Sequence, residues 1–186
     1  MVRRGAAAAG VAAGWAPALL TPPPPLLPPR NSPNALATDD GSSWYSTHDN
    51  FFYDAAGFKM DYGGHDSLFY SNVVVAVHGQ NCIGTASFVA GHAHQVFDND
   101  CVVYSTERVD DLFENCDQGL APNVPVHGYN NRFYTEKGNA SATCDCCGLR
   151  PLKDLPKGLE DNFTASLLPS GDTIIAWGRG KLFGGQ

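Results

Sequence analysis

The sequence predicts an all-β protein whose strands stack as parallel coils, with about four coils and a short C-terminal helix. The prediction rests on a recurring phrase, in which a turn containing Asn or Asp is followed by apolar residues. Its copies are residues 47–52, 69–74, 97–102 and 129–134, so their starts lie 22, 28 and 32 residues apart (69 − 47, 97 − 69 and 129 − 97). Spacings of this size are typical of solenoid repeats, each of which packs on its neighbours.

The second copy of the phrase shows the physical reason most clearly. Asn and Asp tolerate the left-handed backbone region and bond to their own main chain, so they can bend a strand sharply. Asn72 is followed by three valines, Val73, Val74 and Val75. A continuous β-branched run suits a strand that is buried on both faces, as in parallel sheets. An antiparallel sandwich with Asn-rich turns is the alternative, because similar turn spacings also mark that class.

Residues 1–43 are interpreted as a disordered leader that precedes the coils. Arg3 and Arg4 are followed by an Ala- and Gly-rich run to Leu20, a pattern that resembles a secretory signal. Residues 22–29 are rich in Pro and Leu and favour extended polyproline II structure. A low-complexity leader is the alternative. The signal interpretation predicts a secreted or cell-surface protein.

Residues 44–150 are predicted to form the coils, and residues 151–186 to form a loop and a C-terminal capping helix. Residues 152–168 are predicted as loop. Ser170 is a candidate N-cap and Asp172 lies in the first turn, as helices favour. We expect the helix over residues 170–183 to lie on the last coil and to cover its exposed strand edges.

The charge balance limits the partners that the protein can have. The chain has 12 basic and 19 acidic residues. Three basic and two acidic residues lie in positions 1–43, so the remainder carries 12 − 3 = 9 basic and 19 − 2 = 17 acidic side chains, a net charge of −8. A surface of this sign repels nucleic acid and anionic lipid, so no nucleic-acid partner is expected. Prolines interrupt the only long apolar run, so no membrane span is expected either.

The cysteines indicate an oxidising compartment. Their number is even, which favours disulfides, and they are Cys82, Cys101, Cys116, Cys144, Cys146 and Cys147. We expect Cys82 to pair with Cys101, and Cys116 to pair with one of the last three. The glycosylation acceptor patterns at Asn139 and Asn162 point to the same compartment. Zinc bound by Cys144 and Cys147 is the alternative, and it would make the chain an intracellular zinc-binding module.

Residues 44–183 resemble a known family. The resemblance is carried by residues 79–82 (Gly-Gln-Asn-Cys), 91–94 (Gly-His-Ala-His), 99–104, 128–134 and 168–177. These stretches are similar to the C-terminal part of right-handed parallel β-helix proteins of the pectin lyase-like superfamily, of the kind found in protists. The resemblance implies a right-handed parallel β-helix. Because members mostly bind, cleave or epimerise acidic polysaccharides, it also implies a polysaccharide as the partner.

The catalytic patterns of that superfamily are not found in the chain. Lyases of the superfamily hold calcium with clustered aspartates beside an Arg or Lys base, and epimerases carry an Asp-Pro-His-Glu run. Asp110 and Asp111 are adjacent, but they lie in residues 107–112, which the sequence predicts as an inserted loop or short helix. The resemblance therefore implies a non-catalytic binding module without a cofactor. Two alternatives are a polysaccharide lyase or epimerase, for which calcium would be the cofactor, and a structural remnant of a longer β-helix.

Six residues are candidates for ligand binding, although no metal site is predicted: His65, His78, His92, His94, Trp44 and Tyr62. His92 and His94 are two residues apart, so on a strand they would share a face and could bind a sugar hydroxyl or a metal. Stacking of imidazoles at a corner of the coil is the structural alternative. Aromatic rings beside polar groups are typical of saccharide-binding surfaces.

Overall fold

The computed structural model describes residues 34–38, 40–60, 63–78, 80–85, 89–104, 108–112, 126–144, 148–155 and 157–184. These residues form three sheets and one α-helix. Sheet 1 contains β1 (Asn34–Thr38), β4 (Ala56–Met60), β7 (Ile83–Thr85), β10 (Arg108–Leu112), β13 (Ser141–Cys144) and β14 (Gly148–Pro151). Sheet 2 contains β2 (Ser46–His48), β5 (Leu68–Tyr70), β8 (His94–Phe97), β11 (Val126–Tyr129) and β15 (Glu160–Asp161). Sheet 3 contains β3 (Phe51–Tyr53), β6 (Val73–Ala76), β9 (Asp100–Val103), β12 (Arg132–Thr135) and β16 (Thr164–Leu167).

The chain passes through sheets 2, 3 and 1 in turn, and we call one such pass a coil. Strands that neighbour each other within a sheet are parallel, apart from the hairpin of β13 and β14. The predicted parallel stacking is confirmed, and the antiparallel sandwich is wrong for the described residues. Sheets 2 and 3 each contain five strands, one more than the recurring phrase predicts. The extra strands, β15 and β16, lie in residues 152–168, where the sequence predicted only loop.

A sharp turn joins sheet 2 to sheet 3 in each of these five passes. The residue at this turn is left-handed, with φ between 54° and 58°, at Asp49, Ser71, Asp98, Asn130 and Asn162. In the first four passes the next residue is an asparagine whose side-chain amide bonds to the adjacent coil. A bend at this point of the phrase is confirmed, but the residue expected to make it in the second pass is corrected. Ser71 is the left-handed residue there, and the side-chain amide of Asn72 bonds to Thr47 and Asn99 in the neighbouring coils.

The core lies between the three sheets. Most of its side chains are apolar, and the largest fully buried ones include Phe58, Phe69, Phe133 and Ile83. All four residues of β6 are buried, as predicted for the valine run, because Val74 faces the core while Val73 and Val75 face outward and are covered by the helix.

The helix α1 spans Gly171–Phe183, as the sequence predicted, and Ser170 Oγ accepts a hydrogen bond from the Thr173 N–H at 3.2 Å. Its predicted position is wrong. Ile174 packs against Val73, Val75 and Val102 on the outer face of sheet 3, and the helix contacts β3 in the first coil. The helix covers this face, and not the strand edges of the last coil, because these outward side chains are apolar and would otherwise meet water.

Two further expectations are corrected. Residues 107–112 were predicted as a loop or short helix, but residues 108–112 form β10. Residues 34–38 were assigned to the leader, but they form β1 and pair with β4. The signal-like segment and the proline tract lie in residues 1–33, outside the described residues. Among the residues that the structure describes, no helix has the length and apolar character needed to cross a bilayer.

Cys82 and Cys101 form a disulfide, as predicted, and both side chains are fully buried. The bond joins the start of β7 in sheet 1 to β9 in sheet 3 and thus links two neighbouring coils. The second predicted pairing involves Cys116 and the cluster at residues 144–147. Cys116, Cys146 and Cys147 lie outside the described residues, as does the side chain of Cys144.

Candidate functional site

Three candidate residues meet where the chain leaves sheet 1 and enters sheet 2. His65 lies shortly before β5 and His92 shortly before β8, so they occupy the same place in two successive coils. They are 27 residues apart (92 − 65), which equals the separation of Ser67 and His94 in the same coils. Before β2, Ser43 forms a parallel bridge with His65, and Trp44 follows it. The stacking of coils therefore brings Trp44, His65 and His92 to one corner.

Asp66 joins the two histidines. Its Oδ2 accepts a hydrogen bond from His65 Nδ1 at 2.9 Å and another from His92 Nδ1 at 2.6 Å. The imidazole centroids are 4.3 Å apart. Burial alone raises the pKa of Asp66, but the hydrogen bonds from His92 and His65 outweigh it and place that pKa below the usual value for aspartate. We call His65, Asp66 and His92 the corner cluster.

Trp44 lies at the edge of the corner cluster. Its ring meets the ring of His65 edge to face, with centroids 6.3 Å apart, and 76% of the residue is exposed. Most of the indole surface is thus available to a ligand next to three polar side chains.

His94 has a structural role, and its expected role as a ligand contact is wrong. Its side chain is buried, Nδ1 accepts the Ser67 N–H at 3.1 Å, and Nε2 therefore carries the proton and donates it to the Gly64 carbonyl at 3.1 Å. Burial lowers the pKa of His94 to about 4, so the ring is neutral at physiological pH. Because β8 begins at His94, His92 lies outside the strand, and the two rings do not share a face.

The remaining candidates lie elsewhere. His78 follows β6 and donates from Nδ1 to Asp54 Oδ1 at 2.6 Å, and Gln80 donates to the same oxygen at 3.1 Å. The hydrogen bond from His78 is the main cause of a lowered pKa at Asp54. Tyr62 lies outside the described residues.

Four aromatic side chains form a column on the outer face of sheet 2. His48, Tyr70, Phe97 and Tyr129 stack on one another with centroid distances of 4.7, 4.9 and 4.9 Å. The ring faces between neighbours are occupied by this stacking, so within the column a sugar ring could reach mainly the ring edges. This contrast makes Trp44 the better candidate for a stacking surface.

Both candidate glycosylation acceptors are exposed. Asn139 lies in the turn after β12, and Asn162 is the left-handed residue between β15 and β16. Their side chains are therefore accessible in the folded chain.

The acidic partners of the histidines were missed by the sequence analysis. Asp66 and Asp54 are single aspartates in turns, which have no distinctive spacing of their own. The signal that could have identified the cluster is the 27-residue separation of His65 and His92, because Asn72 and Asn99 in the same coils have the same separation.

The corner cluster combines two imidazoles with one carboxylate, groups that can bond to sugar hydroxyls or coordinate a cation. Comparisons of the chain with family models, with curated proteins and with solved structures found no match.

Proposed function

We propose that this protein is a secreted or cell-surface module that binds a polysaccharide without altering it. The observation that carries the proposal is the exposed ring of Trp44 beside the corner cluster. Aromatic faces cover the apolar C–H surface of a sugar, and adjacent polar groups bond to its hydroxyls.

The charge of the protein favours a neutral polysaccharide. Residues 44–186 carry a net charge of −8 (9 − 17), which repels polyuronate chains. A neutral glycan meets no such repulsion, and its hydroxyls can bond to the Asp66 carboxylate and to the Nε2 atoms of the two imidazoles.

We also propose that the stacked coils form a right-handed parallel β-helix like that of the pectin lyase-like superfamily. Three parallel sheets visited in a fixed order support this proposal. Connections between parallel strands of one sheet are right-handed in nearly all proteins, because strand twist favours that direction. The buried disulfide and the exposed acceptors Asn139 and Asn162 support an oxidising, secretory route.

The proposal is tested with the full chain produced through an oxidising secretory route. Affinity electrophoresis in gels containing xyloglucan, galactan, mannan or polygalacturonate measures retention, and ultraviolet absorbance of the polymers reports any unsaturated uronate product. We expect retention by a neutral polymer, weaker retention by polygalacturonate, and no product.

Trp44→Ala should weaken retention at least tenfold. Tyr53→Ala is the matched control, since Tyr53 is a similarly exposed aromatic residue (64%) at the end of β3 in sheet 3. If Trp44→Ala were retained as strongly as the wild type, the polysaccharide would bind somewhere other than at Trp44. If no polymer retained the wild type, the proposed function would be wrong.

A further inference from the structure

We propose that the corner cluster is a binding site for a divalent transition-metal ion of the zinc type. One ligand atom from each of His65, Asp66 and His92 lies within 4.8 Å of the other two. This inference goes beyond the proposed function and does not depend on it, because it concerns the ion alone.

The spacing of the three donor atoms is close to that of a coordination shell. The Asp66 Oδ2 atom lies 2.9 Å from His65 Nδ1 and 2.6 Å from His92 Nδ1. Ligand atoms around a tetrahedral zinc ion, at about 2.0–2.1 Å from the metal, are roughly 3.3 Å apart. Expansion by about 0.4 Å on the His65 side (3.3 − 2.9) and about 0.7 Å on the His92 side (3.3 − 2.6) therefore admits the ion, and a small side-chain rotation can supply it.

The kinds of ligand select the kind of ion. Calcium and magnesium take oxygen ligands almost exclusively, whereas imidazole nitrogen suits zinc, copper, nickel and ferrous iron. A carboxylate can complete such a site, as it does in sites with two histidines and one acidic residue. An ion bound at Nδ1 leaves each imidazole neutral with its one proton on Nε2: a doubly protonated ring releases its Nδ1 proton to solvent, and a neutral ring that carried the proton on Nδ1 changes tautomer.

The carboxylate of Asp66 is held in place before any ion arrives. Besides the two imidazoles, the backbone N–H of Ala93 in the next coil makes a small contribution to the lowered pKa of this carboxyl. Asp66 has a left-handed backbone, with φ of 53°, in a segment that His94 holds on both sides through Gly64 and Ser67. Such outer contacts orient metal ligands and reduce the ordering that binding requires.

The cluster is accessible from solvent. The exposed fractions of the side chains are 23% for His65, 19% for Asp66 and 42% for His92. Three protein ligands leave at least one coordination position for water or a ligand oxygen, as in open zinc sites.

Two other histidines of the described chain also bond to an aspartate, and they provide controls. His78 pairs with Asp54, and His48 pairs with Asp49, with one imidazole in each pair. In the part of the chain that the structure describes, the corner cluster is the one place where three such side chains come together.

The test is a calorimetric titration of the full chain with Zn²⁺ after removal of metal by a chelator. Any free thiols are alkylated beforehand under native conditions, so that cysteines cannot supply ligands. We expect one ion per chain. His92→Ala, which removes an exposed side chain, should weaken binding at least tenfold, and His78→Ala should bind as the wild type does.

A second measurement identifies the ligands. Titration with Co²⁺ should give visible absorption without a thiolate charge-transfer band, and the visible bands should be lost in His92→Ala. Equally tight binding in His92→Ala would show that the ion binds elsewhere and would overturn the proposal. Failure of the wild type to bind Zn²⁺ would also overturn it, leaving the cluster as a hydrogen-bonded link between coils. Because neither titration contains a glycan, the result is separate from that of the carbohydrate assay.

Discussion

Asn131 donates its side-chain N–H to Glu160 Oε1 at 2.9 Å, and this bond ends a ladder of amides that runs through the coils. Asn50 donates to Asn72, Asn72 to Asn99, and Asn99 to Asn131, at 3.1, 3.2 and 3.0 Å. Each acceptor oxygen also takes the backbone N–H of the preceding asparagine. The ladder thus satisfies buried backbone groups at the turn between sheets 2 and 3, and Glu160 supplies its last acceptor.

We predict that Glu160 makes the protein less stable as the pH rises. Burial is the main cause that raises its pKa from 4.5 to about 8. Between these values the unfolded chain loses the proton while the folded chain keeps it, so the free energy of unfolding falls as the pH increases. The contribution of the protonated Glu160 to the free energy of unfolding is fully present below pH 4.5, the pKa in the unfolded chain. It is lost as the pH rises to about 8, the pKa in the folded chain.

Glu160→Gln should remove this dependence, because its side-chain oxygen still accepts from Asn131 without ionising. We expect about 2–4 kcal/mol of added stability at pH 8 and little change at pH 4.5. Urea unfolding at several pH values measures this. Glu136→Gln, which changes an exposed side chain, should keep the wild-type slope. The same slope in Glu160→Gln would contradict the prediction.

The second prediction concerns two kinds of asparagine. Asn99 is fully buried, and its amide bonds to the Phe69 carbonyl and to both neighbours in the ladder. Asn99→Ala should reduce the free energy of unfolding by about 3–5 kcal/mol, because several buried groups lose their partners. Asn130→Gly should change it by only a few tenths of a kcal/mol, since that residue is exposed and left-handed. Equal losses in chemical denaturation would contradict this division of roles.

The third prediction concerns the disulfide between Cys82 and Cys101. Both residues are 0% exposed, so a reductant should reach the bond only when the chain opens. Replacement of both cysteines by alanine should lower the free energy of unfolding by about 2–4 kcal/mol. Thiol labelling with mass spectrometry, in reductant with and without urea, measures the protection. Rapid labelling of the native chain at these two residues would contradict the buried position of the bond.

The repeated turn could be predicted from sequence because its chemistry is local. Asn or Asp at a bend followed by apolar residues appears four times, and those four copies correspond to the first four strands of sheets 2 and 3. The fifth copy was missed because Phe163 occupies the position that the ladder asparagine has in the earlier coils. In this coil the acceptor for Asn131 is Glu160, which lies two residues before the left-handed Asn162.

The corner cluster could be predicted only in part. His65 and His92 could be recognised as candidates, but their meeting depends on the length of each coil. The different positions of His92 and His94 depend on where β8 begins, which is at His94, three residues after the left-handed Gly91 (φ 83°). A glycine indicates a turn, but it does not specify the residue at which the next strand starts.

The last prediction concerns the surface that α1 covers. Ile174 is 6% exposed and packs against Val73, Val75 and Val102, whereas Ile175 is 55% exposed. Ile174→Ser should lower the free energy of unfolding by about 2–4 kcal/mol, because it removes a buried apolar side chain and leaves a hydroxyl facing the valines. Ile175→Ser makes the same chemical change in the same helix and should cost less than about 1 kcal/mol. Since helix propensity changes equally in both variants, the difference in their urea midpoints measures the contact with sheet 3. Equal midpoints would mean that α1 does not cover this sheet, and that its outward valines are protected in some other way.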